Sequence, residues 1–286
     1  MEQRRITKLL VANRGEIAIR IFRACTELDI RTVAIYTFED RYSLHRYKAD
    51  EAYMVGKEED PLKPYLDIEA IIRIAKDCGA TAIHPGYGFL SENFDFARRC
   101  RETNITFIGP DPEVMQQLGD KVLAKKIAGK CNVPLIASSK QPLSNISVAK
   151  TEAENIGFPL MLKAAAGGGG RGMRVIRNSD DLQKSFDEAQ REAKNAFGDD
   201  TVFFEKFIED PKHIEVQVVA DKHGNVMHLF ERDCSVQRRF QKIVEVAPAY
   251  NISEQVKQKL YAYAVEICKS VGYNNIGTVE FLVDRN

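Results

Sequence analysis

The sequence predicts an α/β fold joined to α+β parts, and three observations support this. Short β-branched runs alternate with helical patterns in the first third, a glycine run lies between two strand-like segments, and strand-like runs dominate after Thr201. The first pattern indicates a parallel sheet covered on both faces, and the last indicates an antiparallel sheet. Because 286 residues exceed the usual length of one domain, we expect two or three subdomains.

The individual elements follow from β-branched runs, helix caps and turn residues. We expect strands over 6–12, 32–37, 81–84, 105–108, 159–164, 173–177, 202–208, 214–220, 226–231, 243–247 and 277–284. Connector helices should run from Pro112 to Cys131 with a break at Gly119, and later helices should be capped by Ser179 and Ser253. Residues 221–225 have the composition of a turn.

Charge and cysteine usage limit the possible classes of function. Lys plus Arg and Asp plus Glu each number 41, so no net field favours nucleic acid or an anionic membrane. The six cysteines lack C-x-x-C or zinc-ligand spacing, which is typical of reduced thiols. Arg4, Arg5 and Lys8 interrupt the N-terminal apolar stretch, and no segment has the length of a membrane span. We therefore expect a cytoplasmic protein without an export signal or anchor.

The strongest local motif runs from Lys163 to Met173 around four consecutive glycines. Glycines let backbone N–H groups approach a phosphate closely. The run contains G-x-G-x-x-G, but a strand-like segment follows where a dinucleotide motif opens a helix, and no Gly-Lys-Ser/Thr closes it as in a Walker loop. It predicts a glycine hairpin over phosphates, with a flexible surface loop as the alternative.

Charged residues add to this pattern. A single lysine is usually solvated, but Lys163 and Lys121 both lie near predicted element ends, and two ammonium groups suit a polyphosphate. The densely charged segment 231–242 indicates either a solvated sheet edge or an anion pocket. Glu280 is out of phase with Val279 and Phe281, so it faces away from them and could bind Mg²⁺ carried by a nucleotide.

Three other features each have two interpretations. Arg20, Arg23 and Glu27 form a charged stripe on the first helix, either solvated or at an interface. Segment 84–93 follows a strand where open α/β sheets bind ligands, although His84 is more often structural than catalytic. Cys234 is more often buried and inert than reactive.

Eight segments of the sequence, in their order along the chain, resemble the biotin carboxylase module of the ATP-grasp superfamily. The resemblance lies in 12–17, 84–93, 119–121, 163–173, 204–206, 213–217, 231–242 and 277–282, which together span nearly the whole chain. Segments 43–53 and 65–69 look most like the branch of this family found in pyruvate carboxylases.

The resemblance implies three domains and a set of site residues. A Rossmann-like N-terminal domain with connector helices would cover 1–135, a glycine-loop lid 136–202, and the start of a C-terminal ATP-grasp domain 203–286. The implied roles are Lys121, Lys163, Gly168 and Gly169 at the ATP phosphates, Glu205, Lys206 and Ile208 at adenine, His213 and Gln237 elsewhere on the nucleotide, Glu280 at Mg²⁺ or Mn²⁺, and Lys242 as the catalytic residue that holds bicarbonate.

The implied reaction is ATP- and Mg-dependent carboxylation of biotin by bicarbonate through carboxyphosphate, in which metal and lysines offset charge on the transferring phosphoryl group. Biotin would sit on a carrier domain outside this chain, and a carboxyltransferase domain would then convert pyruvate to oxaloacetate. The resemblance also implies a homo-oligomer, with Arg20, Arg23 and Glu27 at a dimer contact.

Two departures from the family pattern qualify these expectations. Phe240 stands where the family usually has histidine, and a phenyl ring cannot form that residue's hydrogen bonds. The family's E-x-N-x-R segment, which supplies a second metal carboxylate and groups around bicarbonate, should follow Asn286. We therefore expect this chain alone to bind nucleotide without turnover.

Other functions remain open at this stage. The chain could serve an acyl-CoA carboxylase, be another ATP-grasp ligase, or be a non-catalytic nucleotide-binding module. A dinucleotide oxidoreductase is disfavoured by the strand predicted after Gly172.

Overall fold

The computed structural model describes residues 5–57, 60–119, 121–139, 141–165, 173–238 and 241–284, with side chains except at positions 121, 122 and 197. Its chain forms two compact units. One comprises Met1–Ile127, Val219–Met227 and Ile267–Gly277, and the other comprises Ala128–Val218, His228–Glu266 and Thr278–Asn286. The three domains expected from the sequence stay a prediction.

The first part of the chain builds a parallel sheet, as predicted. Its strands are β1 (Lys8–Val11), β2 (Arg31–Tyr36), β3 (Glu51–Met54), β4 (Ala82–His84) and β5 (Thr106–Phe107), in the order β3-β2-β1-β4-β5. The helices are α1 (Gly15–Glu27), α2 (Leu44–Lys48), α3 (Ile68–Asp77), α4 (Phe94–Glu102), α5 (Pro112–Gly119) and α6 (Lys121–Lys130). The break predicted at Gly119 adjoins Asp120, which is outside the described residues, so it stays a prediction.

Alternation along β1 shows why this sheet needs helices on both faces. Leu10 packs in one buried cluster with Ile71 of α3 and Phe96 of α4. Its neighbours Leu9 and Val11 pack in another cluster, with residues of α1. Side chains of successive strand residues point to opposite faces, so both faces are covered.

The glycine run is flanked by a small antiparallel sheet of order β7-β6-β8. Its elements are α7 (Ile146–Ile156), β6 (Leu160–Ala164), β7 (Met173–Ile176), α8 (Leu182–Phe197) and β8 (Val202–Lys206). Lys163 pairs with Met173, so the predicted antiparallel strands around the run are confirmed. The cap predicted at Ser179 is wrong, because the Asn178 side chain accepts from Asp180 and Asp181 and this turn delays the helix to Leu182.

The last sheet has the order β11-β10-β9-β12. It contains β9 (Lys212–Ala220), β10 (Val226–Arg238), β11 (Gln241–Val246) and β12 (Asn275–Val283), with α9 (Glu254–Ser270) between β11 and β12. The Asp221 carboxylate accepts from the backbone of His223 and Asn225, which closes the predicted turn. Ser253 caps α9 as expected, by accepting from Val256 N at 3.3 Å.

Strand β10 is longer than predicted, since it continues through the charged segment to Arg238 instead of ending at Glu231. Opposite charges on neighbouring strands make this possible, for example the bond from Arg232 to Glu215 on β9. No helix in the described ranges is long and apolar enough to cross a membrane. Within those ranges the six cysteines are unpaired, and five of them, including Cys234, are buried.

Candidate functional site

Lys163 and Glu205 form an ion pair between adjacent strands β6 and β8. The Lys163 side chain is 29% exposed and that of Glu205 is 12% exposed. Lys163 lies three residues before the segment 166–172, which is outside the described residues and contains the predicted contacts Gly168 and Gly169. The pair offers an ammonium group for a phosphate and a carboxylate for an amino group.

The structure describes three other predicted nucleotide contacts, Lys206, Ile208 and Lys121, to different extents. The Lys206 ammonium donates to the carbonyls of Gly157 and Phe158, at 3.0 and 2.6 Å, so its charge holds the turn before β6. Ile208 lies beyond the end of β8, which makes the predicted strand two residues too long. Lys121 begins α6, but its side chain is outside the described part.

Four predicted residues from different strands meet on the last sheet. Gln237 Nε2 lies 2.7 Å from His213 Nδ1, and His213 Nε2 lies 3.3 Å from Glu280 Oε2. Lys242 Nζ donates to Glu280 Oε1 at 2.6 Å. The antiparallel pairing of β10 with β11 sets Gln237 directly opposite Lys242. These contacts confirm the sequence interpretation that Glu280 turns away from Val279 and Phe281, and they join residues up to 67 positions apart.

The hydrogen bonds of Gln237 orient the imidazole of His213. Gln237 Nε2 also donates to the Cys234 carbonyl at 2.9 Å, so its amide presents N–H groups to both partners. His213 Nδ1 is then the acceptor, and the ring proton sits on Nε2, facing Glu280. His213 therefore acts as a hydrogen-bond donor to this carboxylate.

Two residues that the sequence interpretation missed complete the cluster. Glu215 has a side chain only 3% exposed, and its Oε2 accepts from Arg232 Nη2 at 2.8 Å. Its Oε1 forms an ion pair with Lys242. Arg232 also pairs with Glu245. The buried Glu215 carboxylate thus lies between two cationic side chains.

Charge complementarity determines the protonation of Glu280. Hydrogen bonds from His213 and Lys242 hold the pKa of Glu280 at about 2, although burial acts in the opposite direction. The carboxylate is therefore ionised across the physiological range. His213, Glu215 and Glu280 place one potential ligand atom each within 4.8 Å of one another.

This arrangement has two chemical capacities. Two ionised carboxylates can hold a divalent cation, which favours oxygen ligands. The ammonium of Lys242 can hold a small anion once it is released from the carboxylates.

Comparison with known families identifies the chain. Residues 120–286, more than half of its length, match the family described as "Carbamoyl-phosphate synthase L chain, ATP binding domain". The chain belongs to this family. Residues 5–115 match "Biotin carboxylase, N-terminal domain", so the resemblance found from the sequence is confirmed. All the cluster residues described above fall within the ATP-binding family's match.

The relatives of this ATP-binding family member are carboxylases. Pyruvate carboxylase of Bacillus subtilis is 56% identical over 286 residues, which are 100% of this chain and 25% of that protein. The chain thus spans about a quarter of the length of the curated relatives it matches.

Two solved structures share the fold. The biotin carboxylase domain dimer of Hydrogenobacter thermophilus 2-oxoglutarate carboxylase, in complex with MgADP, ADP and bicarbonate, has a TM-score of 0.91 and 48% identity, covering 99% of this chain and 62% of that one. Biotin carboxylase of Campylobacter jejuni, in a complex described as β-γ-ATP, has a TM-score of 0.93 and 46% identity, covering 99% and 63%. The predicted combination of a parallel sheet with an ATP-grasp fold is confirmed.

A sequence signal for Glu215 was present but not used. Glu215 is two residues after His213 in a strand, and residues two apart share a face. Its apolar neighbours Ile214 and Val216 are both fully buried and lie in the opposite phase. This phase could have assigned Glu215 to the same site as His213 from the sequence alone.

Proposed function

We propose that this chain supplies the nucleotide, metal and bicarbonate contacts for ATP-dependent carboxylation of biotin by bicarbonate, the first half-reaction of a pyruvate carboxylase. The observation that carries the proposal is the cluster in which Lys242 contacts Glu215 and Glu280 while His213 and Gln237 lie beside it. The names of the relatives support it, since they are pyruvate carboxylases and biotin carboxylases.

The phosphates of ATP would be bound by ammonium groups and backbone amides. Lys163 is available at the end of β6, and Lys121 with the Gly168 and Gly169 backbones would complete the set. Glu205, Lys206 and Ile208 would contact adenine. Because Lys163 already pairs with Glu205, binding would shift its ammonium from this carboxylate to a phosphate.

The donor set fits Mg²⁺ or Mn²⁺. Glu280 supplies an ionised carboxylate, and Glu215 adds a buried one whose Oε1 is in contact with the Lys242 ammonium. A divalent ion held there would offset negative charge on the phosphoryl group during transfer. His213 would keep its role as a donor to Glu280, and Gln237 would fix the ring.

Lys242 would hold bicarbonate, whose phosphorylation gives carboxyphosphate. Breakdown of carboxyphosphate would release CO₂ and inorganic phosphate, and the CO₂ would add to the ureido nitrogen of biotin, carried by another domain, as that nitrogen loses its proton. A carboxyltransferase domain would then pass the carboxyl group to pyruvate. Arg20, Arg23 and Glu27 are exposed and contact no partner within the described residues, which is compatible with a dimer contact between protomers. A cytoplasmic location remains part of this proposal.

The first test measures ATP and adenosine binding by calorimetry in Lys163→Ala. Loss of the ammonium should weaken ATP binding by about 1.5–3 kcal/mol and adenosine binding much less, because only ATP carries phosphates. Lys150→Ala, which removes an exposed lysine of α7, is the control and should change neither. Equal losses for both ligands would contradict the assignment of Lys163 to the phosphates.

A further inference from the structure

The ammonium of Lys242 occupies the position between two carboxylates that a cation would take. Its Nζ donates to Glu280 Oε1 at 2.6 Å and forms an ion pair with Glu215 Oε1. The Lys242 side chain is 29% exposed, whereas that of Glu215 is 3% exposed. One flexible side chain thus neutralises a buried and an exposed carboxylate together.

Glu215 depends on this contact. Its Oε2 accepts from Arg232 Nη2, and its Oε1 is buried against the Lys242 ammonium. The ammonium of Lys242 is the cation in contact with that oxygen. A buried ionised oxygen is costly unless a charge lies against it, so some cation must be present whenever the site is folded.

A divalent ion satisfies the same requirement. Ligand atoms of Glu215 and Glu280 lie within 4.8 Å of each other. Mg²⁺ binds oxygen at about 2.1 Å, so two ligands on one ion are at most about 4.2 Å apart, a spacing that small side-chain shifts can reach. His213 is not needed as a third ligand, because Gln237 and Cys234 fix the ring with its Nε2 proton toward Glu280.

We propose that Lys242 and a divalent cation exchange places at Glu215 and Glu280. Like charges repel strongly at a separation of a few ångströms in a partly buried site, so ammonium and metal cannot hold the same two oxygens. The arriving ion therefore displaces Lys242, and the released ammonium becomes able to bind bicarbonate. Metal loading thus precedes bicarbonate binding, and Lys242 keeps the carboxylates neutralised in the metal-free protein. The bicarbonate step rests on the proposed function, whereas the exchange itself does not.

The exchange is tested by Mn²⁺ binding to the 286-residue chain without nucleotide, followed by electron paramagnetic resonance. In Lys242→Met the competing ammonium is gone, so Mn²⁺ affinity should rise about tenfold or more, the scale of one charge-assisted contact. Lys212→Met is the matched control. Lys212 is also 29% exposed and pairs with Asp233, outside the cluster, at 2.7 Å. Its affinity should stay within about twofold of the unsubstituted chain.

Three results would overturn the exchange. Unchanged or weaker Mn²⁺ binding in Lys242→Met would mean that the lysine does not compete. An equal gain in Lys212→Met would mean that removing any positive charge near the sheet raises Mn²⁺ affinity, without competition at the site. Absence of Mn²⁺ binding in every variant would remove the cation site.

A second measurement follows the unsubstituted chain and uses a variant only to assign one signal. Lysines of the unsubstituted chain are dimethylated with ¹³C, which preserves their charge, and Mg²⁺ is titrated by NMR. The Lys242 signal, identified by its loss in Lys242→Met, should shift with saturation while the Lys212 signal stays in place. A stationary Lys242 signal at saturating Mg²⁺ contradicts the inference. Metal-free ATP binding in the same samples tests the proposed function separately.

Discussion

Two buried carboxylates on the last sheet differ in how they are satisfied. Glu231 of β10 accepts from the Ala249 amide at 3.0 Å, from the Tyr261 hydroxyl, and from Lys257 in an ion pair at 2.7 Å. Glu215 of β9 is held instead by two side chains of neighbouring strands, Arg232 at Oε2 and Lys242 at Oε1.

The difference follows the two faces of the sheet. Glu231 and Arg232 are successive residues of β10, so their side chains point to opposite faces. Glu231 meets α9 through Lys257 and Tyr261, whereas Arg232 reaches Glu215 on the other face. A carboxylate whose partners are fixed by packing stabilises the fold, and one held by long, partly exposed cations remains available for a ligand.

The largest expected effect is the loss of stability in Glu231→Gln. The change leaves the Lys257 ammonium, 14% exposed, without its counter-charge beside Tyr261. We expect the free energy of unfolding, measured with urea, to fall by roughly 3 kcal/mol. A fall below about 1 kcal/mol would show that Lys257 finds water or another partner.

The matching change on the other face, Glu215→Gln, should cost less than about 1 kcal/mol of unfolding free energy, because its cations can regain water. Arg232 and Lys242 are 32% and 29% exposed and keep Glu245 and Glu280 as partners. Mn²⁺ affinity should instead fall by about tenfold or more, since one ligand charge is lost. If stability falls as far as in Glu231→Gln, the distinction between the faces is wrong.

The pH dependence of stability should report on the ionised Glu231. Burial raises the pKa of Glu231, but the contacts with Lys257, Tyr261 and Ala249 outweigh this and leave it below the ordinary 4.5. A lowered folded-state pKa means that the contribution of Glu231 is present above pH 4.5 and lost as the pH falls through the folded value. The stability gap between the unsubstituted chain and Glu231→Gln should therefore narrow below pH 4.5 in urea titrations. A constant gap would assign the stability to packing instead of charge.

The most local effect concerns Gln237→Met, which keeps the length of the side chain but removes its N–H groups. His213 Nδ1 and the Cys234 carbonyl each lose a donor, so unfolding free energy should drop by about 0.5–1.5 kcal/mol. The imidazole should then show a mixture of tautomers by ¹⁵N NMR, where the unsubstituted chain shows Nε2–H. A single unchanged tautomer would mean that Glu280 alone orients the ring.

The sequence predicted most elements because their signals are local. β-Branched runs located β1, β2, β4 and β6. The cap of α8 was misplaced because Ser179 and Asp181 are both capping residue types, and only the bonds to Asn178 decide between them. Local amino-acid composition alone therefore does not distinguish Ser179 from Asp181 as the cap.

The candidate site was predicted in part for a different physical reason. The phase of Glu280 fixed the face to which it points, but not that Lys242, 38 positions earlier, would contact it. Charge density in 231–242 indicated either a solvated edge or an anion pocket, and the structure places β10 between β11 and β9 instead of at an edge. The partners of Arg232 come from other strands, so strand order had to be known before its charge could be interpreted.

The pairing of β10 with β11 has a consequence for chain length. Between the pairs Asp233↔Val246 and Val236↔Val244, β10 contains one residue more than β11. Between Val236↔Val244 and Gln237↔Lys242, β11 contains one residue more than β10. These two bulges compensate each other and bring Gln237 opposite Lys242. Deleting the half-exposed Val236 would remove one of them and turn Gln237 toward the face of α9, away from His213. A substitution at Val236, which is 57% exposed, leaves the number of residues in β10 unchanged. The pairing of β10 with β11 therefore tolerates changes of side chain better than changes of length.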